Sequence, residues 1–351
     1  MSRYFVSAAG VLLAAATFAS AQQIEWKDPS PHVVKFVTVE NDVQLEVLDW
    51  GGSGSPLVLL AGLGDTAHVF DDFAPTLTAR HRVLAITRRA HGRSSTPPTG
   101  YGFPRLAEDV VRVIEAMGVS RPIVIGHSFA GEEMHALGAR DSEKIAGMVY
   151  LDAAFNRGDN SDSEAYRAVA RNLPSAPGPS PTDLASFTAL RAFLIRIQGA
   201  VGPEAHLRAR FTANPDGSVG RPWAPDLPAR QAISSEMAAL TKAYNPAPIH
   251  VPALAIYAVP KSADDLMRRG SSDTSPFPGD FVERTASDPA IRERVEKLYQ
   301  LTRERFARHA NWFKMFAPQG RVTEMSGVHH LFLSHPSEVV QQIEAFVSSL
   351  H

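Results

Sequence analysis

Short runs of apolar residues recur along most of the chain, and they constrain the fold more than any other feature of the sequence. Most of these runs are apolar at every position rather than at alternate positions. A strand that is buried on both faces of a parallel sheet has this continuous pattern. Six runs are predicted to be strands: residues 57–61, 83–87, 123–125, 145–151, 253–257 and 322–325.

Amphipathic patterns that are typical of helices lie between or after several of these runs. One covers about residues 106–117, another about residues 288–316, and the last begins at Pro336. Near the start, residues 33–51 contain two β-rich runs that predict a hairpin of edge strands. Strands that alternate with helices predict an α/β fold with a mostly parallel central sheet.

The region from residue 155 to residue 249 breaks this alternation. It contains a stretch rich in proline and serine at residues 173–182 and several helical segments, without a convincing buried strand. Because strand-type runs resume immediately afterwards, an insertion over the sheet explains the region better than a second independent core. The sequence therefore predicts a core of residues 22–154 and 250–351, with a helical cap or lid at residues 155–249.

The first residues of the chain have the pattern of a signal peptide. Arg3 precedes an apolar run over residues 4–18, and the small residues Ala19 and Ala21 stand two positions apart. A membrane anchor is the alternative, but the run is shorter than the roughly 20 residues that span a bilayer. We therefore expect a signal peptide at residues 1–21 and export to the periplasm or the medium, with no membrane span in the mature chain.

The overall charge and the cysteine content exclude several classes of function. With 35 basic and 37 acidic residues, the formal net charge is −2, so no long-range field favours nucleic acid. The chain has no cysteine, which excludes disulfides, a lipid anchor on cysteine and a thiolate metal site. Its 351 residues, 44% of them apolar, are enough to hold the fold through a buried core.

Residues 122–134, PIVIGHSFAGEEM, place Ser128 between an apolar strand and a helix. A serine hydroxyl attacks poorly unless it protrudes and a base takes its proton. In a strand–turn–helix elbow, the positions two before and two after the nucleophile must be small, and here they are Gly126 and Ala130. Ser128 is therefore the candidate nucleophile, and an ordinary tight turn is the alternative.

Three segments in this order resemble the α/β-hydrolase superfamily, and the resemblance covers nearly all of residues 33–350. PLVLLAGLGDTAHVFDDFAP resembles the segment after the third strand, with Ala61-Gly62 where many members have His-Gly. HRVLAITRRAHGRSSTP resembles the fourth strand and its loop, although Thr87 and Ala90 replace the more usual Asp and Gly. VIGHSFAG follows as the nucleophile elbow.

The resemblance implies an oxyanion hole that consists of two backbone N–H groups. One belongs to the residue after the nucleophile, Phe129, and the other, by position, to Leu63 in the loop after the third strand. Gly62 and Gly64 would let that loop turn sharply. The alternative is a glycine turn with no role in chemistry.

The resemblance also implies a catalytic histidine after the last strand, since the family order is serine, acid, histidine. His329 lies seven residues before Pro336, which matches the family's spacing to the proline that opens its last helix. His330 is the alternative base. A metal site of His329, His330 and His335 is not predicted, because no carboxylate completes a ligand spacing.

The acid of the expected triad has two candidate positions. Most relatives carry it four residues beyond the seventh strand, which is Lys261 here, and Asp264 and Asp265 follow on the same loop. A minority carry it at the end of the sixth strand, where this chain has Asp152. Because a strand end is more rigid than a loop, the sequence favours Asp152 and keeps Asp264 or Asp265 as the alternative.

These residues predict the hydrolysis of a small-molecule carboxylic ester through an acyl-enzyme, without a metal or another cofactor. Serine at the elbow argues against epoxide hydrolases and haloalkane dehalogenases, whose nucleophile is an aspartate. Lactones, amides or a carbon–carbon bond beside a carbonyl are alternative substrates. A cofactor-free perhydrolase and a non-enzymatic binding protein are alternative functions.

Glu132 and Glu133, in the first turn after Ser128, are interpreted as structural. No pattern sets an oligomeric state.

Overall fold

A computed structural model of the chain describes residues 26–159, 161, 163–171, 173, 178–242, 246–268 and 287–350. The expected signal peptide, residues 1–21 with its cleavage site near Ala21, lies outside the described residues. Within the described part of the chain, no helix combines the length and apolar composition that crossing a bilayer requires.

The core is a sheet with the strand order β1-β2-β4-β3-β5-β6-β9-β10. β2 pairs antiparallel with β1 and β4, and all other neighbours pair in parallel. The mostly parallel sheet that the sequence predicts is therefore confirmed. Its strands are β1 (Val33–Glu40), β2 (Val43–Gly51), β3 (Leu57–Leu60), β4 (Val83–Ile86), β5 (Ile123–His127), β6 (Gly147–Leu151), β9 (Ala253–Ala258) and β10 (Gly320–Met325).

Helices cover both faces of this sheet. The first and last helical patterns of the sequence are confirmed, and the pattern over residues 288–316 is one long helix. The helices are α1 (Phe103–Ala116), α2 (Ala130–Arg140), α3 (Ser163–Ala170), α4 (Phe187–Gln198), α5 (Glu204–Arg210), α6 (Leu227–Lys242), α7 (Ala263–Arg268), α8 (Pro289–Phe316), α9 (Leu331–Ser334) and α10 (Pro336–Ser348).

The continuous apolarity of the inner strands follows from burial on both sides. Val58, Val124 and Tyr150 point into a core cluster that also contains residues of α1 and α2. The alternate positions, such as Leu59 and Ile125, belong to a second cluster on the opposite face, together with residues of α10. Successive side chains of a strand point to opposite faces, and both faces are buried here. Polar residues at alternate positions would therefore be buried, so these strands are apolar at every position.

The inserted region, residues 155–249, contains the helices α3, α4, α5 and α6. It also contains a two-stranded antiparallel hairpin, β7 (Phe211–Ala213) and β8 (Val219–Pro222), which the expectation of a purely helical cap missed. These strands are short and mostly exposed, so they lack the apolar run by which the inner strands were identified. The pair Asp216-Gly217, with Gly217 at φ +84°, was the available turn signal.

Candidate active site

Ser128 stands in a strained turn between β5 and α2. Its φ is +52°, a region that non-glycine residues rarely adopt and that is often found at functional sites. The Ser128 N–H donates to the Leu151 carbonyl at 3.2 Å, and the Gly131 N–H donates to the Ser128 carbonyl at 3.1 Å. These bonds hold the turn against β6 on one side and against α2 on the other.

Small residues around Ser128 allow this turn. A Cβ placed on Gly126 would lie 2.3 Å from Met134 Sδ and 3.0 Å from Ala130 Cβ, so the predicted requirement for glycine is physical. Gly131 is equally restricted, because a Cβ there would lie 1.9 Å from the Ala153 carbonyl oxygen. The second glycine of the elbow is thus needed one position later than the family pattern has it, where α2 packs on the chain after β6.

His329 and Asp152 meet although 177 positions separate them in the chain. His329 Nδ1 lies 2.6 Å from Asp152 Oδ2, and both side chains are buried. The other oxygen, Asp152 Oδ1, accepts from the Ala258 N–H at 3.1 Å, and the Asp152 N–H donates to the Ile256 carbonyl at 2.7 Å. The carboxylate is therefore held by β9, and a proton on Nδ1 leaves Nε2 of His329 as the basic nitrogen.

The alternative acids lie elsewhere. Asp264 forms an ion pair with Arg292 at 3.1 Å, and Asp265 Oδ2 accepts from the Lys261 N–H at 2.6 Å. Both carboxylates lie in the first turn of α7, where negative charge stabilises a helix N-terminus. The structure therefore brings Asp152 to His329, and it engages Asp264 and Asp265 with other partners.

The alternative base, His330, contacts a different carboxylate. His330 Nε2 lies 3.2 Å from Asp65 Oδ2, and its ring centroid lies 4.4 Å from that of His127. His127, the residue before Ser128, also contacts the catalytic candidate, since its Nε2 lies 3.2 Å from the His329 carbonyl oxygen. The loop that carries both histidines thus packs directly against the elbow.

The loop after β3 reaches the elbow as expected for an oxyanion hole. A Cβ on Gly62 would lie 3.3 Å from Ser128 Cβ, and Gly64 has φ +77°. Leu63 is 60% exposed, so this residue is not part of the core. Among the described residues, no backbone hydrogen bond is found for the N–H of Leu63 or of Phe129.

Arg88 orients this loop, and sequence reasoning missed it. Its guanidinium donates to the carbonyl oxygens of Ala61 at 2.8 Å and Gly62 at 3.2 Å. It also pairs with the buried Glu133 and lies 4.9 Å from the centroid of the Phe129 ring. Because the C=O and N–H of one trans peptide point in opposite directions, the bond to the Gly62 carbonyl sets the direction of the Leu63 N–H.

Glu132 and Glu133 fit their interpretation as structural residues, but both are buried rather than exposed. Glu133 binds Arg88, and Glu132 Oε1 accepts from Arg157 Nε at 2.8 Å. Burial raises the pKa of Glu132 to about 7, although the nearby charge of Arg157 opposes the shift. The two arginines therefore tie the start of α2 to the loop after β3 and to the inserted region.

Asp65 links the inserted region to the site, which the sequence did not indicate. His206 Nε2 and Arg210 Nη1, both on α5, lie 3.4 Å and 3.5 Å from Asp65 Oδ1. Burial alone would raise the pKa of Asp65, but hydrogen bonds with His206 and His330 hold it well below its usual range. Asp65 is therefore a buried anion that contacts both α5 and the histidine loop.

Part of the chain is similar in sequence to a family model and to several known proteins. A family model described as the α/β hydrolase fold matches residues 55–191. Esterase YbfF of Escherichia coli is 31% identical over 102 residues, which are 29% of this chain and 40% of that protein. A non-heme chloroperoxidase of Streptomyces lividans is 33% identical over 120 residues, which are 33% of this chain and 44% of that protein. The chain thus spans less than half the length of these curated relatives.

Similarity to solved structures extends further along the chain. The crystal structure of an E-2-(acetamidomethylene)succinate hydrolase superposes with a TM-score of 0.59 at 19% identity, over 90% of this chain and 99% of that one. At this level of identity, the likeness shows a shared fold.

Proposed function

Because the chain belongs to the α/β-hydrolase superfamily, we propose that it is a serine hydrolase that cleaves carboxylic esters through Ser128, His329 and Asp152. The observation that carries the proposal is the 2.6 Å contact between His329 Nδ1 and Asp152 Oδ2, beside a serine in a strained elbow. A serine, an imidazole and a buried carboxylate in this arrangement are the parts of a nucleophilic triad.

In the proposed reaction, Ser128 Oγ attacks the ester carbonyl while His329 Nε2 takes its proton. The N–H groups of Leu63 and Phe129 donate to the oxyanion, and these donors are in place before the charge develops. His329 then returns the proton to the departing alcohol, which leaves an acyl group on Ser128. Water, activated by the same imidazole, hydrolyses the acyl-enzyme and restores the serine.

A small-molecule ester is the preferred substrate because an esterase and other hydrolases are among the relatives. The same triad would serve a lactone, an amide or a carbon–carbon bond beside a carbonyl, and the acyl pocket decides among them. A screen across these classes, with acyl chains of increasing length, ranks them by kcat/KM.

Labelling with a fluorophosphonate tests the activated serine directly. We expect one adduct per chain on Ser128, located by mass spectrometry, and no adduct on Ser128→Ala. The variant should lose turnover and keep its unfolding temperature close to that of the wild type, since one hydroxyl contributes little to the core. A Ser128→Ala variant that still turns over esters would refute the assignment. A folded wild type without an adduct would favour a binding protein on this fold.

A cofactor-free perhydrolase is the second candidate, and the similarity to a non-heme chloroperoxidase favours it. In that reaction hydrogen peroxide replaces water in attacking the acyl-enzyme, and the released peracid oxidises halide in solution. We would measure bromide oxidation in acetate with peroxide. Oxidation that disappears in Ser128→Ala would support this reading, and oxidation that persists in the variant would contradict it.

A further inference from the structure

Three side chains that the proposed reaction does not use converge beside the candidate active site. They are Asp65 in the loop after β3, His127 before Ser128 and His330 after His329, and their ligand atoms all lie within 4.8 Å of one another. We propose that these three residues bind a zinc ion. Zinc binding can be measured without an ester substrate, so its test does not depend on the proposed ester hydrolysis.

His127 has the tautomer that a metal ligand needs. Its Nε2 lies 3.2 Å from the His329 carbonyl oxygen, and because a carbonyl only accepts, Nε2 carries the proton. The lone pair is therefore on Nδ1, which is buried and has no hydrogen-bond partner among the described residues. Histidines that bind metals commonly donate their other ring N–H to a backbone carbonyl in this way.

The buried Nδ1 of His127 is an acceptor without a donor, and this needs an explanation. His127 is 1% exposed, and a buried polar atom without a partner destabilises a fold. The neighbouring groups are a carboxylate and a second imidazole, which are hydrogen-bonded to each other. A cation bound between them would also give His127 Nδ1 a partner. Hydrogen bonds within the cluster leave Nδ1 of His127 unsatisfied.

The spacing of the other two ligand atoms suits one ion. His330 Nε2 donates to Asp65 Oδ2 at 3.2 Å, and a bound ion would replace the shared proton between these two atoms. Two ligands bound at about 2.0–2.1 Å to a tetrahedral zinc are separated by about 3.3–3.4 Å. Arg210 and His206 contact the other oxygen, Asp65 Oδ1, which leaves Oδ2 for the ion.

Gly62 keeps the space between the ligands open. A Cβ at this position would lie 2.9 Å from His127 Nδ1 and 3.2 Å from Asp65 Oδ2. Two imidazoles and one carboxylate form a ligand set that zinc takes readily.

A second group of histidines and carboxylates provides a matched comparison. Asp28, His32, His68 and Asp71 also have ligand atoms within 4.8 Å of one another. There, however, His32 Nδ1 and His68 Nδ1 lie 2.9 Å and 2.8 Å from the two oxygens of Asp71. Hydrogen bonds account for this group, and within the described residues none of its buried side-chain atoms lacks a partner.

The test measures zinc bound to the purified chain after treatment with a chelator. We would titrate zinc chloride by equilibrium dialysis, count the metal by mass spectrometry, and read the geometry from the visible spectrum of the cobalt(II) form. We expect one zinc per chain, a tetrahedral cobalt spectrum, and binding at least about tenfold weaker in His330→Gln and Asp65→Asn. His68→Gln should bind as the wild type does.

His330→Gln is the principal variant because its side chain is 29% exposed, so the fold tolerates the change. Circular dichroism and the unfolding temperature confirm that each variant is folded before the titration. The proposal is overturned if the folded wild type takes up no zinc. It is also overturned if His330→Gln and wild type bind equally, or if His68→Gln alone loses the ion.

Discussion

Asp152 illustrates how a single residue is placed for its proposed role. Its φ is +46°, in the turn after β6, so its carboxylate turns back towards β9. Asp152 Oδ1 accepts from the Ala258 N–H, and Asp152 Oδ2 accepts from His329 Nδ1. A carboxylate fixed at both oxygens loses little conformational freedom when it orients an imidazole.

Replacing this carboxylate tests its role. Asp152→Asn keeps the size of the side chain but removes the negative charge, so His329 is expected to lose the tautomer that accepts the Ser128 proton. We expect kcat for an ester substrate to fall by about 10³–10⁴-fold with a much smaller change in KM. Steady-state kinetics measure both constants.

Asp265→Asn is the matched control, since Asp265 binds the Lys261 N–H rather than a histidine. It should leave kcat near that of the wild type. A larger loss in Asp265→Asn than in Asp152→Asn would move the acid of the triad to α7.

At the scale of elements, one buried ion pair joins the loop after β3 to α2. Arg88 contacts two carbonyls of that loop and pairs with Glu133 on α2. The two candidate oxyanion donors come from these same elements, so the pair sets their relative position. Hydrogen bonds to the Gly62 carbonyl also polarise the peptide that carries the Leu63 N–H.

Arg88→Lys should therefore lower kcat without a matching rise in KM. Lysine keeps the charge but has no planar fork to contact two carbonyls and Glu133 together. Because losing one oxyanion donor costs about 10²–10³ in kcat, a misdirected donor is expected to reduce kcat by at least about tenfold.

Arg93→Lys is the control, because the Arg93 side chain is 66% exposed and lies in the same segment of the chain. Its kinetics should match those of the wild type. An Arg88→Lys enzyme with unchanged kcat, measured well below its unfolding temperature, would show that the pair is only structural.

At the scale of the whole molecule, stability depends on pH through a buried carboxyl group. Glu132 lies in the first turn of α2 and accepts a hydrogen bond from Arg157 at the start of the inserted region, and burial raises the pKa of Glu132 to about 7. In the unfolded chain a glutamate releases its proton near pH 4.3. Between these values the folded state binds more protons than the unfolded state, so the free energy of unfolding falls as the pH rises.

Glu132→Gln should flatten this dependence. The expected loss in the wild type between pH 4.5 and pH 7 is on the order of 3 kcal/mol from this group alone. Glutamine is neutral throughout, so the difference between the two proteins should grow in favour of the variant as the pH rises. Urea unfolding at several pH values measures the free energies.

Glu304→Gln, on the exposed side of α8, should keep the pH dependence of the wild type. A Glu132→Gln protein with the same slope as the wild type would mean that Glu132 stays ionised in the folded state.

Local patterns in the sequence determined the fold class and the elements that carry the candidate nucleophile. Inner strands were recognisable because burial on both faces demands apolar residues at every position, as in Leu57–Leu60. The elbow was recognisable because crowding by Met134 and Ala130 favours a small residue at Gly126. Each constraint falls on consecutive or nearby positions of the chain, so each leaves a readable pattern. The roles of Ser128 and His329 stay predictions.

Only the tertiary structure decided which polar side chains meet. The sequence favoured Asp152 over Asp265 as the acid, but it did not show that Asp152 contacts His329. It also contained no sign that Arg88 would contact the Gly62 carbonyl. The same holds for Asp65, which receives contacts from both α5 and the histidine loop. Such pairings depend on which loops share an edge of the folded sheet, and residues far apart in the chain follow no common periodicity.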